Sequence, residues 1–245
     1  MHVFISEFIM SNPFFKFKKF TVFHNQCAMK VGTDGVLLGA WCDIQDGWSA
    51  LDVGTGSGLI ALMLAQRANA TIDAIDIDLP ACRQAAENCR NSIYNDRLQV
   101  HHTPFESYVQ SCEKKYDLIV SNPPYFSRSL KCPDPQRSTA RHDDRLPLSS
   151  MLAGCRQLIT EKGKIALILP SDALGELKKN TGEKELYLSR LTHVMPVPGA
   201  SPKRILAELV PLPVPLEENE LAIEESRHVY TSQYIALTKD FYLKM

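Results

Sequence analysis

The strongest indication of the fold class is the stretch SALDVGTGSGLIALMLAQR, residues 49–67. Residues 49–53 form a short apolar run typical of a buried strand, and residues 59–67 have the pattern of a helix. Three glycines, Gly54, Gly56 and Gly58, lie between them. Glycines at a strand-to-helix turn allow a tight turn and the close approach of a ligand. The stretch therefore predicts a ligand-binding turn that opens a βαβ unit.

The same alternation of strand and helix continues along the chain. Strand patterns follow at residues 71–77, 98–102, 116–121 and 164–170, and helical patterns at 79–92 and 149–160. Two β-like segments, 188–197 and 204–212, precede a proline-punctuated loop at 211–219 and a helical segment at 232–243. Strands separated by helices form parallel sheets. We predict an α/β, Rossmann-like fold with a mostly parallel, seven-stranded sheet and helices on both faces.

Length and composition favour one domain over residues 1–245. A chain of 245 residues with 44% hydrophobic residues can bury a sizeable core. Residues 12–48 do not follow the βαβ rhythm and are expected to form an appended N-terminal element. Residues 123–147 form a long loop at the end of a strand, where substrate loops are common. Met10 begins a second plausible start, so we expect residues 1–11 to be disordered or a start-site extension.

Cysteine usage and hydropathy exclude several classes of protein. The seven cysteines are odd in number and scattered, without a C-x-x-C pair, so neither a disulfide framework nor a metal site is indicated. No apolar run approaches the roughly 18 residues of a membrane span, and the first residues lack the features of a signal peptide. We expect a cytoplasmic protein with no membrane partner.

Basic residues cluster in two segments although the net charge is only −1. The clusters consist of Lys16, Lys18, Lys19 and Lys30 near the N-terminus, and Arg128, Lys131, Arg137, Arg141 and Arg145 after residue 126. Together they could form one face that binds nucleic acid. Solvated surface charge explains them equally well.

Charge indicates which ligand the glycine turn binds. Gly56-x-Gly58-x-x-Ala61 satisfies the dinucleotide fingerprint, so NAD is a candidate. Asp52, however, would place a carboxylate beside the turn, which repels a pyrophosphate and suits the ammonium and sulfonium groups of S-adenosylmethionine. We predict S-adenosylmethionine as the cofactor. A turn with a purely structural role remains the alternative.

Three further positions are candidates for cofactor binding. Asp76 ends the second strand, about 20 residues past the glycines, where an acid can accept from both ribose hydroxyls; Asp78 is the alternative for that role. Phe105, after the third strand, could stack on the adenine ring or belong to the core. Asp34, within VGTDGVLLGAW (31–41), could cap a helix at the cofactor entrance.

The stretch DLIVSNPPYF, residues 117–126, predicts the substrate site. An exocyclic adenine amine is a poor nucleophile, and two neutral acceptors on its N–H groups would favour the pyramidal, nucleophilic form. Asn122 offers a side-chain carbonyl, and Pro123 offers a backbone carbonyl that Pro124 holds extended. Tyr125 supplies a ring on which a flipped base can stack. A turn that only ends a strand is the alternative, because Asn-Pro favours turns.

With these motifs the chain resembles the Rossmann-like S-adenosylmethionine-dependent N-methyltransferases that carry an NPPY motif, and among them the bacterial tRNA adenine N6-methyltransferases. The resemblance extends from Phe14 to the C-terminus and includes residues 15–41, 121–126, 136–142 and 241–245. It implies a methyltransferase fold and methylation of the adenosine 3′ of the anticodon in a valine tRNA. By resemblance, Asp52, Gly54 and Asp76 hold the cofactor, residues 122–125 hold adenine, and the basic segments contact tRNA.

One segment departs from the family pattern, and several other functions compete. Residues 102–105, HTPF, lack the acid that usually contacts the cofactor adenine in this family. Related enzymes methylate protein glutamine or ribosomal guanine, and a non-catalytic RNA-binding protein or an NAD-dependent oxidoreductase are further alternatives. We predict a monomeric enzyme that binds tRNA.

Overall fold

A twisted sheet of eight strands forms the centre of the protein; the computed structural model describes residues 12–124 and 146–245. The described strands are β1 (Phe14–Lys16), β2 (Thr21–Phe23), β3 (Ser49–Val53), β4 (Thr71–Asp76), β5 (Leu98–His102), β6 (Tyr116–Ser121), β7 (Ile159–Pro170), β8 (Tyr187–Met195), β9 (Arg204–Val210), β10 (Glu217–Ala222), β11 (Glu224–Ser226) and β12 (Val229–Tyr230). The described helices are α1 (Thr33–Trp41), α2 (Leu59–Arg67), α3 (Leu79–Arg90), α4 (Phe105–Ser111), α5 (Leu148–Leu158), α6 (Leu174–Glu183) and α7 (Ser232–Thr238).

The strand order across the central sheet is β10-β8-β9-β7-β6-β3-β4-β5. Of these strands only β9 runs antiparallel to its neighbours, so the carboxyl ends of the other seven meet at one edge of the sheet. This arrangement confirms the predicted α/β, Rossmann-like fold. The order reverses between β3 and β6, and the crevice at such a reversal is where open α/β sheets bind ligands.

The eighth strand, β10, lies where the sequence predicted a loop. Residues 217–219 pair in parallel with β8, beginning with Glu217 opposite Arg190. The predicted loop at 211–219 was therefore wrong for its last three residues. Four of the six residues of β10 are exposed, because this edge strand has one neighbour and little packing. Backbone pairing with β8 stabilises β10. Because most of its side chains are exposed, the hydrophobic pattern of the sequence does not indicate a strand here.

Helices cover both faces of the sheet and enclose two hydrophobic cores. One core packs α1, α2 and α7 against the sheet, and the other packs α4, α5 and α6 against the opposite face. The inner strands β3, β4, β6 and β7 are apolar along most of their length because both of their faces are covered. No helix in the described ranges is long and apolar enough to cross a membrane.

The N-terminal element joins the C-terminal residues in the first of these cores. The β1–β2 hairpin is followed by α1, and Phe17 and Phe20 are buried in the same cluster as α1 and α2. Phe17 forms a β-bridge with Tyr242, and the backbone N–H of Lys18 donates to the carbonyl of Phe241 at 2.8 Å. The predicted segment 1–11 and most of the predicted substrate loop 123–147 lie outside the described residues.

Candidate cofactor and substrate site

The glycine loop, residues 54–58, connects β3 to α2 at the carboxyl edge of the sheet. Gly54 and Gly56 have φ angles of 71° and 55°, in the left-handed region that favours glycine. A Cβ atom at either position would meet no heavy atom within 4 Å. The glycines are thus required by the backbone conformation, and the space beside the loop stays open for a ligand.

A cavity of about 450 Å³ lies beside the glycine loop, and we call it the cofactor cavity. Its wall includes residues from the ends of β3, β4 and β6, among them Gly54, Asp76 and Asn122. A volume of this size falls within the range of cofactor sites. The cavity therefore brings together the two motifs that the sequence singled out.

Asp76 links the end of β4 to the glycine loop. Its Oδ2 accepts a hydrogen bond from the backbone N–H of Gly56 at 2.8 Å, and its Oδ1 accepts one from Asp78 at 2.9 Å. Each carboxylate oxygen can accept a further hydrogen bond. Because Asp76 also lines the cavity, its position fits an acceptor for a ribose diol. Asp78 lines the same cavity.

Asp52 lies behind the glycine loop and is fully buried. Its Oδ2 accepts from Thr55 Oγ1 at 2.7 Å and from the Ala61 backbone N–H at 3.2 Å, while its Oδ1 has no partner among the described residues. Burial raises the pKa of this carboxyl to about 7. The sequence predicted a carboxylate beside the ligand, whereas the structure places it outside the cavity wall, so its charge acts through the loop.

The Asn122 corner, whose described residues are 122–124, follows β6 directly next to the glycine loop. Val53 pairs with Ser121 in the sheet, and Ser121 Oγ donates to the Val53 carbonyl at 2.8 Å. Asn122 and Gly54 therefore emerge side by side. Asn122, Pro123 and Pro124 line the cofactor cavity. Tyr125, the predicted stacking residue, lies outside the described part of the chain.

Phe105 begins α4 and lines the cofactor cavity while also belonging to the core. It is only 6% exposed, and its ring packs so closely against Gly154 that a Cβ there would lie 2.5 Å from it. The next residue, Glu106, also lines the cavity. Residues 102–105 contain no acid, and Glu106 supplies one a single position beyond them.

Asn88, on α3, connects the N-terminal hairpin to the glycine loop. It is 1% exposed; its Nδ2 donates to the carbonyls of Phe23 and Ser57, both at 2.8 Å, and its Oδ1 accepts from the Phe23 N–H at 3.0 Å. Residues 27–29, which follow this hairpin, line the cofactor cavity. No sequence pattern indicates Asn88, because its role depends on three segments that meet only in the fold.

Asp34 requires a correction, because the structure does not place it in the wall of the cofactor cavity. Its Oδ2 accepts from Arg204 Nε at 2.8 Å, and both residues line a different cavity. The reason is that the first turn of α1 faces the start of β9, where the guanidinium group provides an ion-pair partner.

The predicted RNA-contacting residues are only partly described. Lys16, Lys18 and Lys19 are exposed on or beside the β1–β2 hairpin, and Lys18 Nζ donates to the Lys239 carbonyl at 2.6 Å. Lys30 is exposed near the cofactor cavity. Arg128, Arg137 and Arg141 lie outside the described residues. A single basic face therefore stays a prediction.

These residues fit S-adenosylmethionine. The cavity has the required volume, the glycine loop leaves space along its backbone, and Asp76 presents a carboxylate to it. The Asp52 carboxyl lies behind the loop, and its ionised form would give a cation on the other side a favourable potential.

Sequence comparison relates the chain to known methyltransferases. The model of the methyltransferase small domain matches residues 27–134. A tRNA1(Val) (adenine(37)-N6)-methyltransferase from Parabacteroides distasonis is 53% identical over 96% of this chain and 100% of its own length. A protein of the same name from Trichodesmium erythraeum is 44% identical, over 94% of this chain and 98% of its own.

Solved structures support the fold alone. A predicted O-methyltransferase from Agrobacterium tumefaciens superposes with a TM-score of 0.65 at 16% identity, over 85% of this chain and 96% of that one. TrmN from Thermus thermophilus gives a TM-score of 0.53 at 21% identity, over 73% of this chain and 48% of that one.

Proposed function

The chain belongs to the family of tRNA1(Val) (adenine(37)-N6)-methyltransferases, and from this premise we infer that it transfers a methyl group from S-adenosylmethionine to N6 of an adenosine in tRNA. The adenosine is position 37, directly 3′ of the anticodon. The observation that carries this function is the pairing of β3 with β6, which brings the glycine loop and the Asn122 corner to one cavity.

The cofactor supplies an electrophilic methyl group on a sulfonium. The glycine loop would provide the backbone along which it binds, and Asp76 would accept from its ribose hydroxyls. Phe105 and Glu106 would form the wall for its adenine ring, with Glu106 as the acidic acceptor. In its ionised form, which its raised pKa of about 7 disfavours below neutral pH, Asp52 would add negative potential from behind the loop without contact.

The Asn122 corner holds the target base. The Asn122 side-chain carbonyl and the Pro123 backbone carbonyl accept hydrogen bonds from the two N–H groups of the adenine amine, which directs its lone pair away from the ring. Both acceptors remain neutral, so the reaction needs no dedicated general base, and the proton leaves to water after attack. Catalysis is then mainly positioning for in-line transfer. Tyr125 stacks on the base.

The substrate contacts beyond the base are electrostatic. Lys16, Lys18, Lys19 and Lys30 contact the tRNA backbone together with Arg128, Arg137 and Arg141. The affinity for RNA should therefore fall as salt rises, because each phosphate contact releases counterions. We further propose that the protein acts as a monomer in the cytoplasm, where its tRNA substrate is found.

The test is methyl transfer from labelled S-adenosylmethionine to unmodified tRNA1(Val), followed by identification of the labelled nucleoside. The wild-type protein should produce N6-methyladenosine, and Asn122→Ala should reduce the rate at least a hundredfold while it still binds the cofactor. Asn95→Ala, at an exposed position in the loop between α3 and β5, is the matched control. Labelling of protein glutamine or ribosomal guanine in place of tRNA would contradict the proposal.

A further inference from the structure

A second cavity, of about 530 Å³, lies at the same edge of the sheet as the cofactor cavity. It is formed by the carboxyl ends of β8 and β10, the start of β9 and the first turn of α1. Because β8 and β10 run in the same direction as β3 and β6, their carboxyl ends lie at the edge of the sheet that carries the glycine loop.

The two cavities are close enough for one polymer to occupy both. Between β6, which ends at the Asn122 corner, and β9, which begins at Arg204, there is only β7. Neighbouring strands are about 4.8 Å apart, so the lateral separation is about 10 Å. An RNA strand whose adenine lies at Asn122 can therefore reach the second cavity with a nearby nucleotide.

Aromatic rings form much of the wall of the second cavity. Phe15 and Tyr230 are 36% and 40% exposed, and each packs on a more buried tyrosine. The Tyr230 ring lies 5.2 Å from that of Tyr234, and the Phe15 ring lies 5.9 Å from that of Tyr242. Half-exposed rings supported from below are suitable platforms for base stacking.

Among the residues that the structure describes, the second cavity is lined by three cationic side chains, Lys203, Arg204 and Lys244, and by two carboxylates, Asp34 and Glu224. Arg204 forms an ion pair with Asp34, which leaves Lys203, Lys244 and Glu224. Within the described ranges neither Lys203 nor Lys244 has a carboxylate within ion-pair distance of its ammonium group. Both ammonium groups are therefore available to a phosphate, and Glu224 can accept from a base amine.

We propose that the second cavity binds a nucleotide of the substrate RNA that lies near the target adenosine in the same strand. Its base stacks on Tyr230, and its phosphates contact Lys203 and Lys244. The proposal rests on the proposed function, since it names a second contact of the same RNA. It assigns to the β8–β10 edge a role in selecting the substrate, separate from the chemistry at Asn122.

The first experiment measures binding of a labelled tRNA1(Val) anticodon stem–loop, together with KM and kcat for methylation. Tyr230→Ala should weaken binding and raise KM for RNA by about fivefold to a hundredfold, the range of one base–aromatic stack. The kcat at saturating RNA should change little, because the Asn122 corner is intact. Tyr230→Phe, which keeps the ring, should restore binding.

The matched control is Tyr187→Ala. Tyr187 is also 40% exposed but begins β8, about 25 Å from the end of that strand at the second cavity. It should leave RNA binding unchanged. Unchanged binding and KM in Tyr230→Ala would overturn the stacking role.

A second experiment tests the cations and does not depend on the stability of the Tyr230 variant. The double variant Lys203→Ala, Lys244→Ala should reduce the slope of log K against log salt by about 0.7 for each phosphate contact removed. Lys162→Ala, at the exposed opposite end of β7, should leave the slope unchanged. An unaltered slope in the double variant would contradict the phosphate contacts.

The outcomes separate this proposal from the proposed function. If the wild type methylates tRNA and all second-cavity variants match it, only the second-cavity proposal fails. If the wild type binds the stem–loop without methylating it, and the variants bind more weakly, the cavity proposal stands while the proposed function fails. If the wild type binds no RNA, both fail.

Discussion

The carboxylate of Asp76 accepts a hydrogen bond from the backbone N–H of Gly56 at 2.8 Å, across 20 positions of the chain. This contact joins the end of β4 to the glycine loop, so one side chain both shapes the loop and faces the cavity. Any change at Asp76 should therefore affect the loop conformation and the cofactor together.

We expect Asp76→Asn to weaken cofactor binding by about tenfold to a hundredfold, the range for one lost hydrogen bond to a charged group. An asparagine has only one acceptor oxygen, so it cannot serve the loop and a ribose hydroxyl as the carboxylate does. Calorimetry with S-adenosylmethionine measures the effect, and Asp96→Asn, at a highly exposed carboxylate, is the control. Equal affinities in both variants would contradict the assignment.

Asp34→Ala should leave cofactor affinity unchanged, because Asp34 pairs with Arg204 outside the cofactor cavity. The ion pair is about one-third exposed, so its loss should lower the free energy of unfolding by only about 0–1 kcal/mol. Calorimetry and urea unfolding provide the two measurements. A large loss of cofactor affinity would restore the role that the sequence suggested.

Asp52 should make stability depend on pH in a direction opposite to that of an ordinary carboxylate. Its pKa rises from 3.8 to about 7 on folding, so the native state holds a proton that the unfolded state has released. The free energy of unfolding should fall as pH rises from about 4 to 7 and then level off, with a total cost on the order of 4 kcal/mol.

The variant Asp52→Asn should remove this dependence. As pH rises from about 4 to 7, the wild type should lose free energy of unfolding and the variant should not. Urea unfolding at several pH values measures both proteins. Asp46→Asn, at an exposed site, corrects for the background. A difference that is constant from pH 4 to 8 would show that Asp52 titrates normally.

Asn88→Ala should destabilise the fold and weaken cofactor binding together. The substitution leaves three backbone groups of Phe23 and Ser57 without their partner, and each buried group of this kind costs about 1–3 kcal/mol. Urea unfolding and calorimetry measure the two effects. Asn91→Ala, at the exposed residue that follows the last residue of α3, is the control. A loss of stability of equal size in that variant would exclude a specific role for Asn88.

The fold class and the motifs at the centre of the sheet could be predicted from local residue patterns. Residues 49–67 predicted a strand, a glycine turn and a helix, and β3 and α2 have those bounds, because a buried parallel strand must be apolar and its turn must tolerate left-handed backbone. The spacing of later strands and helices gave the mostly parallel sheet. Parallel strands then bring the glycine loop and Asn122 to one edge, whatever the details of packing.

The contacts between side chains of distant segments could not be predicted in this way. Asp34 pairs with Arg204, 170 positions away, and Asn88 binds two segments that lie 65 and 31 positions before it. Asp52 lies behind its loop, and β10 forms through backbone pairing with β8. Local patterns report burial and backbone preference within a few residues. The partner of a polar side chain depends on the path of the whole chain, so these contacts leave no periodic signal in the sequence.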